Sequence, residues 1–245
     1  MMANLLRFFF LAAFITVSSG AWAQEGGSGQ NGASGQDNSS AQEAAVLELL
    51  EKGQQLVSSG QSAAAIAEFD KAIAIYQAAF KNDKRKLYSA HTRAEALMYL
   101  TEAANTNTDA VVVSPNFADA YYLKGYALME LKDVAAAKAA LQRALELAPH
   151  NAVYWGELGA DYEAEHDWQA ALSAFKSEAD ASEFAPDAQK NVSLSHAWRG
   201  MGYVYVELGQ LDEAEKWYRK CLELDGNDEK AKSELLYIKQ QREKK

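Results

Sequence analysis

Apolar residues recur every three or four positions from about residue 41 to the C-terminus, the spacing that places them on one face of an α-helix. Strict alternation of apolar and polar residues, which is typical of a half-buried strand, is almost absent from this stretch. The whole sequence contains three prolines, so few positions forbid a helix. The pattern therefore predicts an all-α protein.

Polar residues mark where the predicted helices begin. Ser40 and Glu43 have the spacing of a capping box and predict the start of the first helix. Thr92 and Glu95 form a second capping box, which predicts a helix that runs to about Ala104.

The later helices show similar signals. Asp133 and Asp167 are expected to accept hydrogen bonds from the first amides of their helices. Residues 229–245 carry acidic side chains first and cations last, the order that the helix dipole favours, and they predict a C-terminal capping helix with a polar outer face.

A 34-residue period underlies the helical pattern. Gly125 and Gly159 are 34 residues apart, and Gly53 and Gly202 stand in similar surroundings. If each glycine is the eighth residue of a unit, the twentieth is always alanine and the twenty-fourth is always large. The residues are Ala65, Ala137, Ala171 and Ala214, followed by Phe69, Leu141, Phe175 and Tyr218. Such periodicity predicts a stack of similar units, each with a face that it cannot bury alone.

The third of these four units, around Gly159, resembles the tetratricopeptide repeat, whose pattern is W-x2-L-G-x2-Y followed by A-x3-F. The matching residues are Trp155, Leu158, Gly159, Tyr162, Ala171 and Phe175, with a conservative second copy at Trp198, Met201, Gly202, Tyr205, Ala214 and Tyr218. The resemblance implies a right-handed α-solenoid of helix-turn-helix repeats, in which Trp155 and Trp198 are core residues. The expected units are 46–79, a degenerate 84–117, 118–151, 152–185 and 195–228, before the capping helix.

Two segments depart from the period. In the degenerate unit, "KNDKRKLYSAH" is expected to be loop and "DAVVVSP" an irregular return. Nine additional residues near "FAPDAQKNVSLS" are expected to lengthen the connection before the last unit, either as a harmless bulge or as part of a binding face.

The first residues have the features of a secretory signal peptide. Arg7 precedes an apolar run that is too short to span a bilayer, and Ala21-Trp22-Ala23 provides small residues at a cleavage site. Residues 1–23 are therefore predicted to direct export across the inner membrane, giving a periplasmic protein if the source has two membranes; an uncleaved anchor is the alternative. Residues 24–40 are rich in glycine and serine and predict a flexible leader.

Charge narrows the function classes. The formal net charge is −10, and loss of Arg7 with the signal peptide would make it −11. An acidic chain repels phosphate backbones and anionic lipid, so neither nucleic-acid binding nor membrane insertion after cleavage is expected. Cys221, the single cysteine, excludes internal disulfides and occupies the position of Ala72 and Ala144, which indicates a small buried residue rather than a nucleophile.

The sequence shows no clear catalytic or metal-binding pattern. The four histidines are dispersed, and His91 and His150 are expected to be solvated. Glu163 and His166 are one helical turn apart, yet His166 is the fifteenth residue of its unit, where Gly60 and Gly209 stand, and so is expected in a turn. No known nucleophile, phosphate-loop or zinc-protease motif occurs, so we expect no enzyme activity, no metal and no cofactor.

The resemblance also implies a concave groove lined by the first helix of each unit. The candidate partner-binding residues are Tyr122, Tyr126, Glu163, Arg199 and Tyr203. Chaperone-binding members of the family hold a C-terminal carboxylate with a Lys–Asn pair and a Lys–Arg pair, and both pairs are absent from the corresponding positions here. The groove is therefore expected to favour aromatic or extended apolar segments, with one anion at Arg199.

These features predict a non-enzymatic scaffold that binds a partner protein or peptide, in the periplasm or cell envelope. Two alternatives remain open at this point: an accessory subunit of an envelope enzyme complex, and a self-assembling structural protein. The polar final helix disfavours head-to-tail assembly, while sideways dimers stay possible.

Overall fold

The computed structural model describes residues 33–244, so the predicted signal peptide and the start of the predicted leader lie outside it. The helices are α1 (Ala33–Ser58), α2 (Ser62–Ala79), α3 (Arg93–Asn105), α4 (Asn116–Glu130), α5 (Val134–Leu147), α6 (Ala152–Ala164), α7 (Trp168–Ala181), α8 (Asp187–Glu207), α9 (Leu211–Leu224) and α10 (Glu229–Glu243). Two short strands, β1 (Lys86–Ser89) and β2 (Ala110–Val113), flank α3. Within residues 33–244, no helix is both long and apolar enough to span a membrane.

Eight of the helices form four pairs, α1 with α2, α4 with α5, α6 with α7, and α8 with α9. Successive pairs pack against each other through α2 and α4, α5 and α6, and α7 and α8, and α10 covers α9 at the end. This stack confirms the predicted all-α solenoid of repeated helix pairs. Asp133 and Asp167 accept hydrogen bonds from the amides of Ala136 and Ala170, as expected of N-caps.

The period in the sequence reflects close contact within each pair. A Cβ atom at Gly159 would lie 2.7 Å from the ring of Phe175, and one at Gly202 would lie 2.8 Å from that of Tyr218. Both rings are almost completely buried. The eighth position is glycine because the large residue at the twenty-fourth position occupies the space that a side chain would need.

The turn inside each pair has a residue in the left-handed region at the fifteenth position. The φ angles are 76° at Gly60, 62° at Lys132, 60° at His166 and 71° at Gly209. Glycine adopts this backbone without strain, whereas a side chain disfavours it. The predicted place of His166 in an interhelix turn is confirmed.

The predicted start of the first helix is wrong. Helix α1 begins at Ala33, so the last residues of the predicted leader are helical and Ser40 is not an N-cap. The Glu43 carboxylate instead accepts hydrogen bonds from the Tyr76 hydroxyl at 2.8 Å, and from the Ser114 hydroxyl and the Asn116 amide at 2.5 Å each. Glu43 therefore connects α1 to the second helix pair rather than capping its own helix.

Residues 84–117 do not form a degenerate helix pair. They contain a βαβ insert (residues 86–113), in which β1 and β2 are parallel and Lys86 pairs with Ala110. Both stretches were expected to be irregular, yet the run Ala110–Val113 consists mainly of β-branched residues, which favour strands. Thr92 caps α3 as predicted. Helix α2 packs directly on α4, so the insert lies outside the stack.

The additional residues before the last unit lengthen a helix rather than a connection. Helix α8 begins at Asp187, directly after Pro186, and has 21 residues, whereas α6 has 13. A proline at a helix start loses no intrahelical hydrogen bond, which explains why it stands here.

The C-terminal helix is the predicted cap, with one difference. Ala231 and Ile238 are buried against α9, as expected. On the outer side, however, Leu236 is 57% exposed and Tyr237 is 42% exposed, so this face is not wholly polar.

Candidate functional site

The five predicted partner-binding residues lie on the first helices of the last three pairs, α4, α6 and α8, which we call the first-helix face. Tyr122 and Tyr126 are on α4, Glu163 is on α6, and Arg199 and Tyr203 are on α8. Tyr122 is buried and the other four are half-buried. Their surroundings divide this set into three places on the face: one with Tyr122 and Tyr126, a second with Glu163 and Tyr203, and a third with Arg199.

Tyr122 bridges two helix pairs. Its ring stacks on that of Tyr154 with a centroid distance of 5.0 Å, and the Tyr154 hydroxyl donates to Asp119 at 2.5 Å. Burial, together with the charge of Asp119, raises the pKa of Tyr154 far above its ordinary value, so this hydroxyl remains a donor. The two stacked rings span the gap between α4 and α6.

A pocket opens in this gap between α4 and α6. The residues that line the α4–α6 pocket are Tyr122, Gly125, Tyr126, Met129, Glu130, Leu141, Glu157 and Asp161. Its apolar lining comes from α4 and α5, and three carboxylates surround it. Burial first, and then the charges of Glu157 and Asp119, raise the pKa of Tyr122. The pocket therefore combines aromatic walls with a negative potential.

Lys138 is a cation that is already engaged within the chain. The Lys138 ammonium, on α5, is bound to the Glu165 carboxylate and lies 5.0 Å from the centroid of the Tyr162 ring. These contacts hold the Lys138 ammonium between Glu165 and Tyr162.

Glu163 and Tyr203 share a second place on the face. Burial, followed by the charges of Glu207 and Glu163, raises the pKa of Tyr203. The Tyr203 ring meets Trp168 edge to face at 6.4 Å. Here too an aromatic ring is surrounded by carboxylates.

Arg199 occupies the third place and has a structural contact. Its Nη1 donates to Asp228 Oδ2 at 2.6 Å, and Asp228 Oδ1 accepts from the Ala231 amide at 3.0 Å at the start of α10. Burial would raise the pKa of Asp228, but the hydrogen bonds from Ala231 and Arg199 lower it. The guanidinium that was expected to meet a partner's anion is thus bound to a carboxylate of the chain itself.

A buried histidine–glutamate pair was missed by the sequence analysis. His196 Nδ1 lies 2.9 Å from Glu178 Oε1, and Glu178 is 1% exposed. Burial alone would lower the pKa of His196, but the charge of Glu178 and the hydrogen bond to it raise it. A Cβ atom at Gly156 would lie 2.7 Å from the Glu178 carboxylate. The signal was available, because Glu178 occupies a repeat position that is small in the other units.

His91 joins the βαβ insert to the first-helix face. Its Nε2 lies 3.1 Å from Asp119 Oδ1, and its amide donates to Glu95 at 2.7 Å. Partial burial would lower the pKa of His91, but the charge of Asp119, the hydrogen bond to it and the charge of Glu95 raise it to about 9.

His150 makes a second connection to the insert. Its Nε2 lies 2.9 Å from Glu102, and its amide donates to the Tyr99 hydroxyl at 3.2 Å. His91 and His150 keep part of their side chains exposed to solvent, as expected, and both also hold the insert against the helix stack.

Cys221 has the buried place that was predicted for it. The side chain is 0% exposed, and burial raises the pKa of the thiol to about 12, so little thiolate is present at neutral pH. Among residues 33–244, no three metal-ligating side chains come together.

Comparison with known proteins identifies repeats in this stack. The tetratricopeptide repeat family model matches residues 118–151, which are α4 and α5, and residues 196–228, which include α9. The chain therefore contains tetratricopeptide repeats, two of them at the positions that the sequence period gave.

Two curated proteins are similar to about half of the chain. Tetratricopeptide repeat protein 37 of Xenopus laevis is 31% identical over 118 residues, which are 47% of this chain and 7% of that protein. Heat shock protein STI1 of Saccharomyces cerevisiae is 31% identical over 121 residues, which are 48% of this chain and 19% of that protein. The match thus spans only a small part of each relative.

A solved structure shares the fold over most of the chain. PilF of Pseudomonas aeruginosa superposes with a TM-score of 0.57 at 14% identity, covering 83% of this chain and 72% of that one. At this identity the likeness concerns the arrangement of helices.

Proposed function

We propose that the protein is a non-enzymatic interaction scaffold that holds a protein or peptide segment on its first-helix face. The observation that carries the proposal is the α4–α6 pocket, where Tyr122 and Tyr126 line an opening between two repeats. Tyrosine is enriched among the residues that dominate protein interfaces, because it brings a large surface at a small loss of conformational entropy.

The surroundings of the titratable groups also favour binding over catalysis. His91 and His196 are each bound to a carboxylate within the chain, and Cys221 is buried as a thiol. A catalytic site requires a nucleophile or base directed at a shared substrate position. The histidines instead join one structural element to another.

The place of action that we propose is the periplasm or cell envelope. The support comes from residues 1–23, with their single cation, short apolar run and small residues before Gln24. Fractionation of a producing cell with two membranes, followed by N-terminal sequencing, tests this step. Gln24 as the first residue of the periplasmic protein is the expected result, and a cytoplasmic protein that retains Met1 would refute export.

Site-specific photo-crosslinking in the producing cell tests the binding face. A photoreactive residue at Tyr126 or Tyr203 should yield the same larger species, whereas one at Lys176, exposed on α7, should not. Equal crosslinking from Lys176 would remove the first-helix face as the binding site. A product of twice the chain's mass would indicate self-association rather than a separate partner.

A further inference from the structure

Strand β2 of the βαβ insert has β1 as its single neighbouring strand within residues 33–244. Lys86 pairs with Ala110 in the ladder, and the Lys86 amide donates to the Asp109 carbonyl at 2.8 Å. In a parallel ladder a strand bonds to one neighbour through every second residue, and the residues between point to the other side. This register turns the backbone groups of β2 toward β1 at Val111 and Val113, and away from β1 at Ala110 and Val112.

The backbone groups of Ala110 and Val112 that point away from β1, which we call the outer β2 edge, lie open. Strand β1 lies beside α4 and α5, whereas β2 packs mainly on β1 and α3. Val113 packs against the core of the helix stack and Val112 against that of the insert, so both faces of β2 are covered. All its residues are nevertheless half-buried, which places their exposure at the edge. No other backbone group of residues 33–244 bonds to the outer β2 edge.

The outer β2 edge lacks the devices that keep strand edges apart. Strand edges that stay single in native proteins usually carry a charged residue, a proline or a bulge. The run Ala110–Val113 contains no charged residue and no proline, and its ladder with β1 is continuous from Lys86 to Ser89. Unpaired amides and carbonyls at fixed spacing match one kind of ligand, an extended backbone.

We infer that the outer β2 edge receives an extended, uncharged segment of a partner protein as a third strand of the sheet. This site goes beyond the proposed scaffold function, because it lies on the insert and not on the first-helix face. In this mode of recognition, hydrogen bonds between the two backbones supply the affinity and alternate side chains supply the specificity.

The surface beside the edge determines which side chains such a segment can carry. Glu102 turns toward the helix stack, where it binds His150. Leu100 stands two positions earlier and therefore points to nearly the opposite side of α3, away from the stack. Leu100 is 41% exposed and Leu97 is 68% exposed, so apolar surface faces away from the stack on this helix. Together with the valines of β2, it favours β-branched or aromatic residues in the added strand.

A separate partner fits the edge better than a second copy of the chain. Strand β2 has four residues, so the contact is short, and a single extended segment needs no more than this edge. Pairing of β2 with β2 of a second copy would instead bring two whole chains side by side, each with a formal net charge of −10. Like net charges oppose such an approach.

Hydrogen exchange in the free protein tests whether the edge is open. We expect the amides of Val111 and Val113, which bond to β1, to exchange slowly and those of Ala110 and Val112 to exchange at least about tenfold faster. Residue-resolved nuclear magnetic resonance measures this alternation. Equal protection of all four amides would show that the edge is already covered and would overturn the inference.

Peptides selected from a phage-displayed library of random twelve-residue sequences, with the purified protein as bait, test the occupant. Synthetic copies carry N-methyl groups on alternate backbone nitrogens, which removes donors and leaves the side chains in place. If the peptide is an added strand, methylation of one alternate set should weaken binding at least about tenfold, and methylation of the other set should leave it unchanged. Fluorescence anisotropy measures both, and the protein itself stays unaltered.

Protein variants locate the contact. Val112→Pro removes an amide that the β1–β2 ladder does not use, and proline is tolerated on edge strands, so the fold should persist while the peptide binds at least about tenfold more weakly. Val112→Thr is the matched control, because it retains the amide and should retain binding. Circular dichroism and the melting temperature check that each variant is folded.

The remaining results would count against the inference. Equal effects of the two methylation sets, or selected peptides with charged central residues, would overturn the extended, uncharged strand. Binding that survives Val112→Pro but is lost in Tyr126→Ala would belong to the first-helix face, which would overturn the edge and leave the scaffold proposal standing. A protein of twice the chain's mass that becomes monomeric in Val112→Pro would make a second copy the occupant and overturn the separate partner.

Discussion

The ion pair between Arg199 and Asp228 allows a test of whether Arg199 serves the fold or a ligand. Arg199→Met keeps the apolar stem and removes the guanidinium. The two side chains are 22% and 6% exposed and meet at 2.6 Å, so the Asp228 carboxylate would lose a charged hydrogen bond with little water to replace it. Such hydrogen bonds contribute about 1.5–3 kcal/mol. Since Arg199 is partly exposed, we expect the free energy of unfolding to fall by about 2 kcal/mol.

Asp228→Asn completes a double-mutant cycle. Asparagine caps a helix as well as aspartate does, so the hydrogen bond from the Ala231 amide should persist while the charge disappears. We expect a coupling energy of about 1–2 kcal/mol between the two positions, measured by urea unfolding and far-ultraviolet circular dichroism. Amide hydrogen exchange in α10 should accelerate in both single variants.

The outcome also decides the role of Arg199 on the first-helix face. A coupling energy below about 0.3 kcal/mol, with unchanged exchange in α10, would refute the structural role. If Arg199→Met then abolished partner binding at full stability, Arg199 would be a ligand-binding residue, as the sequence suggested.

Three further predictions concern stability and reactivity. The pKa of His91 is about 9 in the folded chain against about 6.5 ordinarily, so its pairing with Asp119 stabilises the fold fully below pH 6.5 and this stabilisation is lost as the pH rises through 9. The variant His91→Gln should flatten the fall in the free energy of unfolding over this pH range, as measured by urea unfolding. An unchanged pH profile would contradict the assignment. Gly159→Ala should lower the free energy of unfolding by about 1–2 kcal/mol because of the contact with Phe175, and an undiminished melting temperature would refute that contact. Cys221 should react with a maleimide only after unfolding; rapid labelling of the native protein would show an accessible thiol.

Much of the solenoid could be predicted from the sequence because its determinants are local and repeated. The pairing of glycine at the eighth position with a large residue at the twenty-fourth recurs in every helix pair, and aspartate caps mark where the second helices α5 and α7 begin. Repetition makes such signals visible in a single sequence, because the same residue types recur at the same positions of successive units.

Elsewhere the same local reasoning gave the wrong partner. Ser40 and Glu43 have capping-box spacing, yet the Glu43 carboxylate binds Ser114, 71 residues away. The insert has no second copy in the sequence with which it could be compared, so its two strands were interpreted as loop. Parallel strands need a long crossover before they can pair, and neither strand of this insert shows its partner in its own sequence.

The sequence by itself determined the class of fold and the helices on which the candidate residues lie. Only the tertiary structure decided what those residues contact, because side chains that stand 18 or 29 positions apart, such as those of His196 and Glu178 or Arg199 and Asp228, meet through packing of separate helices. Those contacts engage His196 and Arg199, two of the cations of the first-helix face, with carboxylates of the chain itself. What remains is the α4–α6 pocket, whose tyrosines and carboxylates come from two repeats that only stacking brings together.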